Sequence, residues 1–222
     1  MSARFGPDEL IACYRRGVFP MAESREAAQL FLVDPDWRGV LPIDRFHAPR
    51  RLARTVRGDR VRVSVNEDFE AVIQGCAELR GDRDETWINP TIQNLYLELH
   101  RRGQAHSVEV RDDGALVGGL YGVSVAGAFF GESMFSRARD ASKIALVHLV
   151  ARLKIGGFKL LDAQFWTAHL AQFGVEQIPR AQFRVRLERA LAADADFLRA
   201  PLALSGAEAM AALAPMAAPG EA

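Results

Sequence analysis

The chain has 222 residues, of which 49% are hydrophobic, and its 28 basic side chains balance its 28 acidic ones. That excludes a disordered charge-rich chain and any global pull toward polyanions, so nucleic-acid binding would have to come from a local patch. Two cysteines exclude a disulfide scaffold, no His or Cys spacing suits a metal, and no apolar run is long enough to span a membrane.

Pro7 to Arg16 reads as a helix, with a proline start, an apolar stripe of Leu10, Ile11 and Tyr14, and Gly17 as its stop. Val18 to Met21 reads as a loop, and Leu30 to Val33 as a short strand ended by Asp34 to Trp37. Val61 to Val65 alternates as a strand. Asn66 is placed to cap a helix reaching about Leu79, with Phe69, Val72, Ile73 and Cys76 inward. Asp82 to Ile88 is a polar loop. Asn89 and Pro90 open a helix whose apolar face is Ile92, Leu95, Tyr96 and Leu99, stopped by Gly103.

Three strands follow in quick succession, Ala105 to Arg111, Leu116 to Val125 and Ala128 to Phe135. Their short connections predict an antiparallel meander. Asp140 or Ser142 caps an amphipathic helix, Lys143 to Leu153; Phe158 to Gln164 is a buried strand, Trp166 to Phe173 a short helix, and Ala181 to Ala193 a last helix. The fold class is α+β, a mostly antiparallel sheet flanked by helices, in the element order of a GNAT-like acyltransferase fold. Three parts are expected: a small N-terminal α/β subdomain (1–60), a catalytic domain (61–195) and an Ala/Pro-rich tail (196–222), frayed or disordered from about 205. The N-terminus has no apolar signal segment, so a cytoplasmic location is the default expectation.

The chemistry concentrates in two strands. Glu132 is a lone carboxylate in an apolar run, and simple alternation puts it on one face with Phe130 and Met134. An ionised carboxylate there is expensive unless something pairs with it. Leu160, Asp162, Gln164 and Trp166 share a face of the next strand. Polar groups among large apolar ones on neighbouring strands are what a small recognition pocket requires. Helix capping or pairing with arginine is the competing structural reading. Ser133 falls on the face opposite Glu132 and reads as structural; His106 reads as a satisfied core histidine.

Other features stay open between two readings. Gly118, Gly119, Gly122, Gly127 and Gly131 mark either close approach of a ligand or bulges and sheet curvature. Arg45, Arg50, Arg51, Arg54, Arg57, Arg60 and Arg62 form either a grip on phosphates or a solvated face. Trp87 is either a stacking platform for a base or a buried loop anchor.

An ordered set of motifs spans residues 7 to 190. It runs Y-R-R-G-V-F-P-M, D-P-D-W-R-G-V-L at 34–41, T-W-I at 86–88, A-H-S-V-E-V at 105–110, L-V-G-G-L-Y-G-V at 116–123, F-F-G-E-S-M-F-S-R from 129, A-S-K, L-L-D-A-Q and E-Q-I-P-R at 176–180. Together these closely resemble the bacterial leucyl/phenylalanyl-tRNA–protein transferases. The resemblance implies transfer of Leu or Phe, and Met less well, from aminoacyl-tRNA to the N-terminal amine of proteins beginning with Arg or Lys, which marks them for N-end-rule degradation. It implies Asp162 and Gln164 as the catalytic pair at the reacting amine and Glu132 as the acidic residue of the pocket. Leu120, Phe129, Gly131, Met134 and Leu161 would line the pocket, and Trp87 and Met21 would meet the terminal adenosine of the tRNA. From the basic cluster itself, Arg50, Arg51 and Arg54 are the residues expected at the tRNA backbone. No metal or diffusible cofactor is required, and a monomer is expected.

Three departures stand out. Asp162-Ala163-Gln164 replaces the family's frequent D-C-Q, so no cysteine there is an essential nucleophile. Met21 stands where many members have tryptophan, and the N-terminal lead-in is short. Two rivals remain on the residues: a GNAT-type N-acyltransferase using acyl-CoA, and a non-catalytic tRNA-binding protein.

Overall fold

The computed structural model describes residues 5–27, 29–79 and 85–214. The first helix, α1 (Pro7–Arg15), matches its expected start and apolar stripe. Val18 to Met21, read as a loop, instead holds β1 (Phe19–Met21), which pairs antiparallel with β2 (Phe31–Val33) in a separate two-stranded sheet. The next strand, β3 (Trp37–Leu41), has no simple alternation and was not foreseen. It is followed by α2 (Arg50–Arg57), where a run of arginines hides the buried stripe Leu52, Ala53 and Val56. β4 (Arg62–Val65) leads to α3 (Phe69–Ala77), whose cap is Asp68 and not Asn66. Asn66 has φ +58° and is held by Ser107 and His106.

Asn89 caps α4 (Pro90–Arg101) as expected, its side chain accepting from the Ile92 amide. The meander is β5 (Ala105–Asp112), β6 (Ala115–Val125) and β7 (Ala128–Ser136). After it come α5 (Ala141–Gly156), β8 (Leu160–Gln164), α6 (Ala168–Ala171), β9 (Glu176–Pro179) and α7 (Arg180–Leu191). A 3₁₀ turn at Phe197–Arg199 precedes α8 (Gly206–Ala212). The expectation of fraying from 205 fails for the described part. Arg152 donates to the carbonyls of Phe197, Ala200 and Pro201, and Ala209 and Leu213 are buried. Residues 215–222 and 82–84, the rest of the expected tail and the start of the expected loop, lie outside the described residues.

The main sheet has seven strands in the order β4-β5-β6-β7-β8-β3-β9. Every pair is antiparallel except β7–β8, which is parallel and joined by the α5 crossover. β3, from the first sixty residues, sits inside this sheet between β8 and β9, so no break in pairing falls at residue 60.

Two apolar layers sandwich the sheet. One holds α1, α3, α4 and α7 through Tyr14, Phe69, Tyr96 and Phe183; the other holds α2, α5 and α8 through Leu52, Leu149 and Ala209. Helix α5 is not amphipathic as expected. It is buried on nearly all sides because α2, α8 and the 3₁₀ turn cover its outer face.

Two irregularities position the site. The β6–β7 register passes from Tyr121↔Ser133 to Gly122↔Gly131, which leaves Glu132 as an extra residue in a bulge. The β3–β8 register passes from Val40↔Asp162 to Gly39↔Gln164 and leaves out Ala163 in the same way. A bulge reverses strand alternation beyond it. Phe130 therefore packs in the first layer and Met134 against the second, so the expected shared face of Phe130, Glu132 and Met134 is corrected. Ser133, expected opposite Glu132, pairs with Tyr121 of the first layer.

Candidate active site

The parallel pair β7–β8 is hydrogen-bonded only as far as Phe130 and Asp162, and the chains then part. A cavity of about 230 Å³ opens at the parting. Its apolar wall is Leu41, Leu120, Met134, Leu146, Leu149 and Leu161. Its polar wall includes Glu132, Asp162 and His169. Gly131 contributes emptiness: a Cβ there would meet only the Asp162 carbonyl, at 3.4 Å. At Gly118 and Gly122, by contrast, a Cβ would lie within 2.5 Å of neighbouring atoms, so those glycines serve sheet packing.

Asp162 is wholly buried and fully engaged. Arg38 grips it with Nε at 2.9 and 3.1 Å and Nη2 at 2.6 Å. The third Arg38 nitrogen, Nη1, donates to the Gly17 carbonyl at 3.0 Å. The guanidinium lies between the rings of Phe19 and Phe183, at 4.6 and 4.4 Å. Such a buried arginine is matched to a carboxylate in geometry and to aromatic faces in its weak hydration. Asp162 Oδ1 also accepts the backbone N–H of Gln164 at 2.8 Å. Gln164 has φ +61°, a left-handed conformation costing a non-glycine residue about 1–2 kcal/mol. The Asp162 bond to its amide holds that conformation, and the side chain turns toward Glu132.

Glu132 is 8% exposed and has a different shell. Tyr14 donates to Oε1 and Tyr96 to Oε2, both at 2.8 Å, and Gln164 Nε2 donates to Oε1 at 3.1 Å. The two phenol oxygens are themselves 2.6 Å apart. Burial pushes the Glu132 carboxyl up to about 7, while the bonds from Tyr14, Tyr96 and Gln164 pull the other way. Burial and the nearby Glu132 hold both phenols well above their ordinary range.

The structure thus brings Glu132, Asp162, Gln164, Leu120, Gly131, Met134 and Leu161 together. Phe129 stands back from the cavity, stacked on Phe197 and edge-on to Phe158. Trp87 and Met21 are half-buried against the first layer, the one that carries Tyr14 and Tyr96. Arg50 and Arg54 are exposed on α2, which packs on the second layer; Arg51 pairs with Asp140 at 3.3 Å. His106 is buried, bonded to Asn66 and Ser124, and held near 4 mainly by desolvation. Among the described residues no group of three or more His, Cys, Asp or Glu is placed to hold a metal.

Sequence reasoning missed Arg38, Tyr14 and Tyr96. Tyr14 and Tyr96 were read as apolar stripe positions; the signal was their hydroxyls, since a buried phenol needs a partner and Glu132 was the unpaired group. Arg38 gave no such signal beyond a lone cation next to the apolar run Val40-Leu41.

An apolar cavity walled on one side by Glu132 and Asp162, with the Gln164 amide bonded to Glu132, is built to hold an apolar group beside buried polar ones. A family model described as leucyl/phenylalanyl-tRNA protein transferase matches residues 40–188, and one for the N-terminal domain of the same proteins matches residues 4–36. The chain is 63% identical over 195 residues to the leucyl/phenylalanyl-tRNA–protein transferase of Phenylobacterium zucineum (strain HLK1), covering 88% of each. It is 56% identical over 206 residues to that of Maricaulis maris (strain MCS10), covering 93% of this chain and 95% of the relative. A solved structure of L-PGS from Bacillus licheniformis is similar at a TM-score of 0.39 and 12% identity over 81% of this chain and 62% of its own, too weak a likeness to bear on the fold. The chain belongs to the leucyl/phenylalanyl-tRNA protein transferase family, a family of aminoacyltransferases.

Proposed function

We propose that the protein transfers leucine or phenylalanine, and methionine less well, from its tRNA to the N-terminal amine of proteins beginning with arginine or lysine, marking them for degradation. The observation that carries this is the cavity: a leucine-lined space of about 230 Å³ closed at one wall by Glu132, Asp162 and the neighbouring Gln164. The apolar wall takes the side chain of the donor amino acid. Discrimination by such a wall is modest between chains differing by a methylene and strong against charge.

The donor ester is already activated, so the enzyme chiefly positions two substrates. Gln164 Nε2 is committed to Glu132, which leaves the amide oxygen to accept an N–H of the incoming amine. Asp162 acts on the reaction through Gln164. Its charge is met by Arg38, so of the two carboxylates at the cavity only Glu132 has no cation against it among the described residues. That favours an acceptor bearing positive charge. Trp87 and Met21 are the contacts proposed for the terminal adenosine, and Arg50, Arg51 and Arg54 for the tRNA backbone. The antiparallel meander that closes on one parallel pair, with α5 as crossover, supports a GNAT-like reading of the domain. The enzyme works as a monomer in the cytoplasm, where charged tRNA is made; among the described residues no helix is long and apolar enough to cross a membrane.

An acyl-CoA donor is disfavoured. A pyrophosphate would want the N-terminus of α5, and the Asp140 carboxylate stands there, paired with Lys143 and Arg51. The test is transfer of leucine from leucyl-tRNA, and of acetyl from acetyl-CoA, to a peptide beginning with arginine. Turnover with the tRNA alone is expected, with Gln164→Ala lowering kcat more than it raises KM. Turnover with acetyl-CoA alone, or binding of tRNA without turnover, would overturn the reading.

A further inference from the structure

We infer that Glu132 takes the proton released by the attacking amine, and that Tyr14 and Tyr96 are positioning residues that close a hydrogen-bonded ring around that proton. The inference rests on the transfer reaction proposed above.

The number of protons shared among these groups decides which bonds can form. Three oxygen-bearing groups meet pairwise: Tyr14 with Tyr96 at 2.6 Å, Tyr14 with Glu132 at 2.8 Å, and Tyr96 with Glu132 at 2.8 Å. A hydrogen bond at such distances needs one proton between each pair of oxygens. Two neutral phenols supply two. With Glu132 ionised, both phenol protons point at the carboxylate, and the short contact between the phenol oxygens has none. With Glu132 protonated, Oε1 donates to Tyr14, Tyr14 donates to Tyr96, and Tyr96 donates to Oε2. Each group then donates once and accepts once, so the ring is complete only after a proton has arrived.

The surroundings fit that role. Glu132 is faced by Tyr14 from α1, Tyr96 from α4, and Asp162 and Gln164 from β8, and Tyr121 from β6 stands by the two phenols. Arg38 stands behind Asp162 and is spent on it, and among the described residues His169 is the one histidine lining the cavity. No cation meets Glu132 directly among the described residues to pin it in its ionised form. Burial brings its affinity for protons close to neutrality. The acceptor's α-ammonium group, with pKa of about 7.7–8.0, gives its first proton to solvent near neutral pH, and the neutral amine that remains is the nucleophile. In the step itself a bond forms between the amine nitrogen and the acyl carbon, and the ester bond to the ribose oxygen of the tRNA breaks. The nitrogen proton passes to Glu132 and from there to the departing ribose oxygen, which leaves as a hydroxyl. Nothing is oxidised or reduced, and no further reactant is consumed.

The test is the pH profile of kcat at saturating leucyl-tRNA with two Arg-starting acceptors whose amines differ in pKa. Two limbs are expected: one that moves with the acceptor, and one fixed near neutrality that belongs to the enzyme. Glu132→Gln should abolish the fixed limb and lower kcat by about 10²–10⁴-fold, with a smaller change in KM for the peptide. Tyr14→Phe and Tyr96→Phe should each move the fixed limb to higher pH, because each removes a charge-assisted bond to the ionised carboxylate. A structural role alone would lower folded protein without moving that limb. A Glu132→Gln enzyme within about threefold of wild type in kcat, or a fixed limb unmoved in both Phe variants, would overturn the inference. A wild-type protein that transfers from no charged tRNA would sink the proposed function instead.

Discussion

Glu132 and Asp162 are a pair of buried carboxylates on adjacent strands, one in the bulge of β7 and the other beside the bulge of β8, at the mouth of one cavity. Their shells are opposite. Asp162 meets a guanidinium bidentately, and that guanidinium is packed between two phenylalanine rings. Glu132 meets two phenols and an amide, all neutral. Burial with a cation fixes a charge and turns the carboxylate into scaffold. Burial among neutral donors leaves the charge negotiable, and a negotiable charge is what proton transfer needs.

The largest effect expected from this contrast is on stability. Arg38→Met leaves Asp162 buried without a counter-ion and should cost about 3–5 kcal/mol. The pair is not itself a strong source of stability; its removal as a unit should be tolerated. The double variant Arg38→Met, Asp162→Leu should therefore recover most of that loss while its activity stays low, because Gln164 loses the acceptor for its strained backbone N–H. Denaturant unfolding of the two variants and the wild type decides it. A single variant within about 1 kcal/mol of wild type would mean that Asp162 is not held in this way.

The next effect is on the pH dependence of stability. Glu132 titrates near 7 when folded and near its ordinary value of 4.5 when unfolded. The folded state therefore binds the proton more tightly, and this group's contribution is full below about 4.5 and lost as pH rises to about 7. The loss is roughly 3 kcal/mol, at about 1.4 kcal/mol for each pH unit. Glu132→Gln should remove that slope, so the variant gains on the wild type between pH 5 and 8. His106 and His148, held near 4, act with the opposite sign below about 6.5 and cancel in the comparison of the two proteins. A difference in unfolding free energy that stays flat from pH 5 to 8 would place the Glu132 titration elsewhere.

Much of this arrangement could be read in the sequence, and the part that could not has a physical reason. The cap at Asn89, the three-strand meander and the polar groups at 132, 162 and 164 are local signals, carried by neighbours in the chain. The two bulges are not. Alternation predicts a face only while the register holds, so Met134 and Ser133 were assigned to the wrong sides once Glu132 took the extra position. β3 escaped notice because a strand that carries an inward Arg38 and a close-packed Gly39 has no simple pattern. α2 escaped because its arginines dominate its composition, although Leu52, Ala53 and Val56 lie at helical spacing. The partners that give the two carboxylates their different characters come from α1, α4 and β3, at sequence separations of 36 to 124 residues. No local pattern reports such contacts.

The smallest effect on stability comes from an arginine at the other extreme from Arg38. Arg54 is exposed on α2 and pairs with no carboxylate among the described residues, whereas Arg38 is 1% exposed and bonds through all three of its nitrogens. Arg54→Ala should leave unfolding free energy within about 0.5 kcal/mol of wild type, as surface changes away from special features do. If α2 lies along the tRNA backbone, the same change should weaken tRNA binding and flatten its dependence on salt. The slope of log affinity against log salt should fall by about 0.7–0.9 for one lost phosphate contact. Leucine transfer at saturating tRNA should be unchanged, since α2 packs on the second apolar layer and Arg54 does not line the cavity. An unaltered salt slope would make the arginine run a solvated face and move the tRNA path to another surface. The contrast with Arg38 would survive that result, because it rests on what each guanidinium touches and not on what binds to the protein.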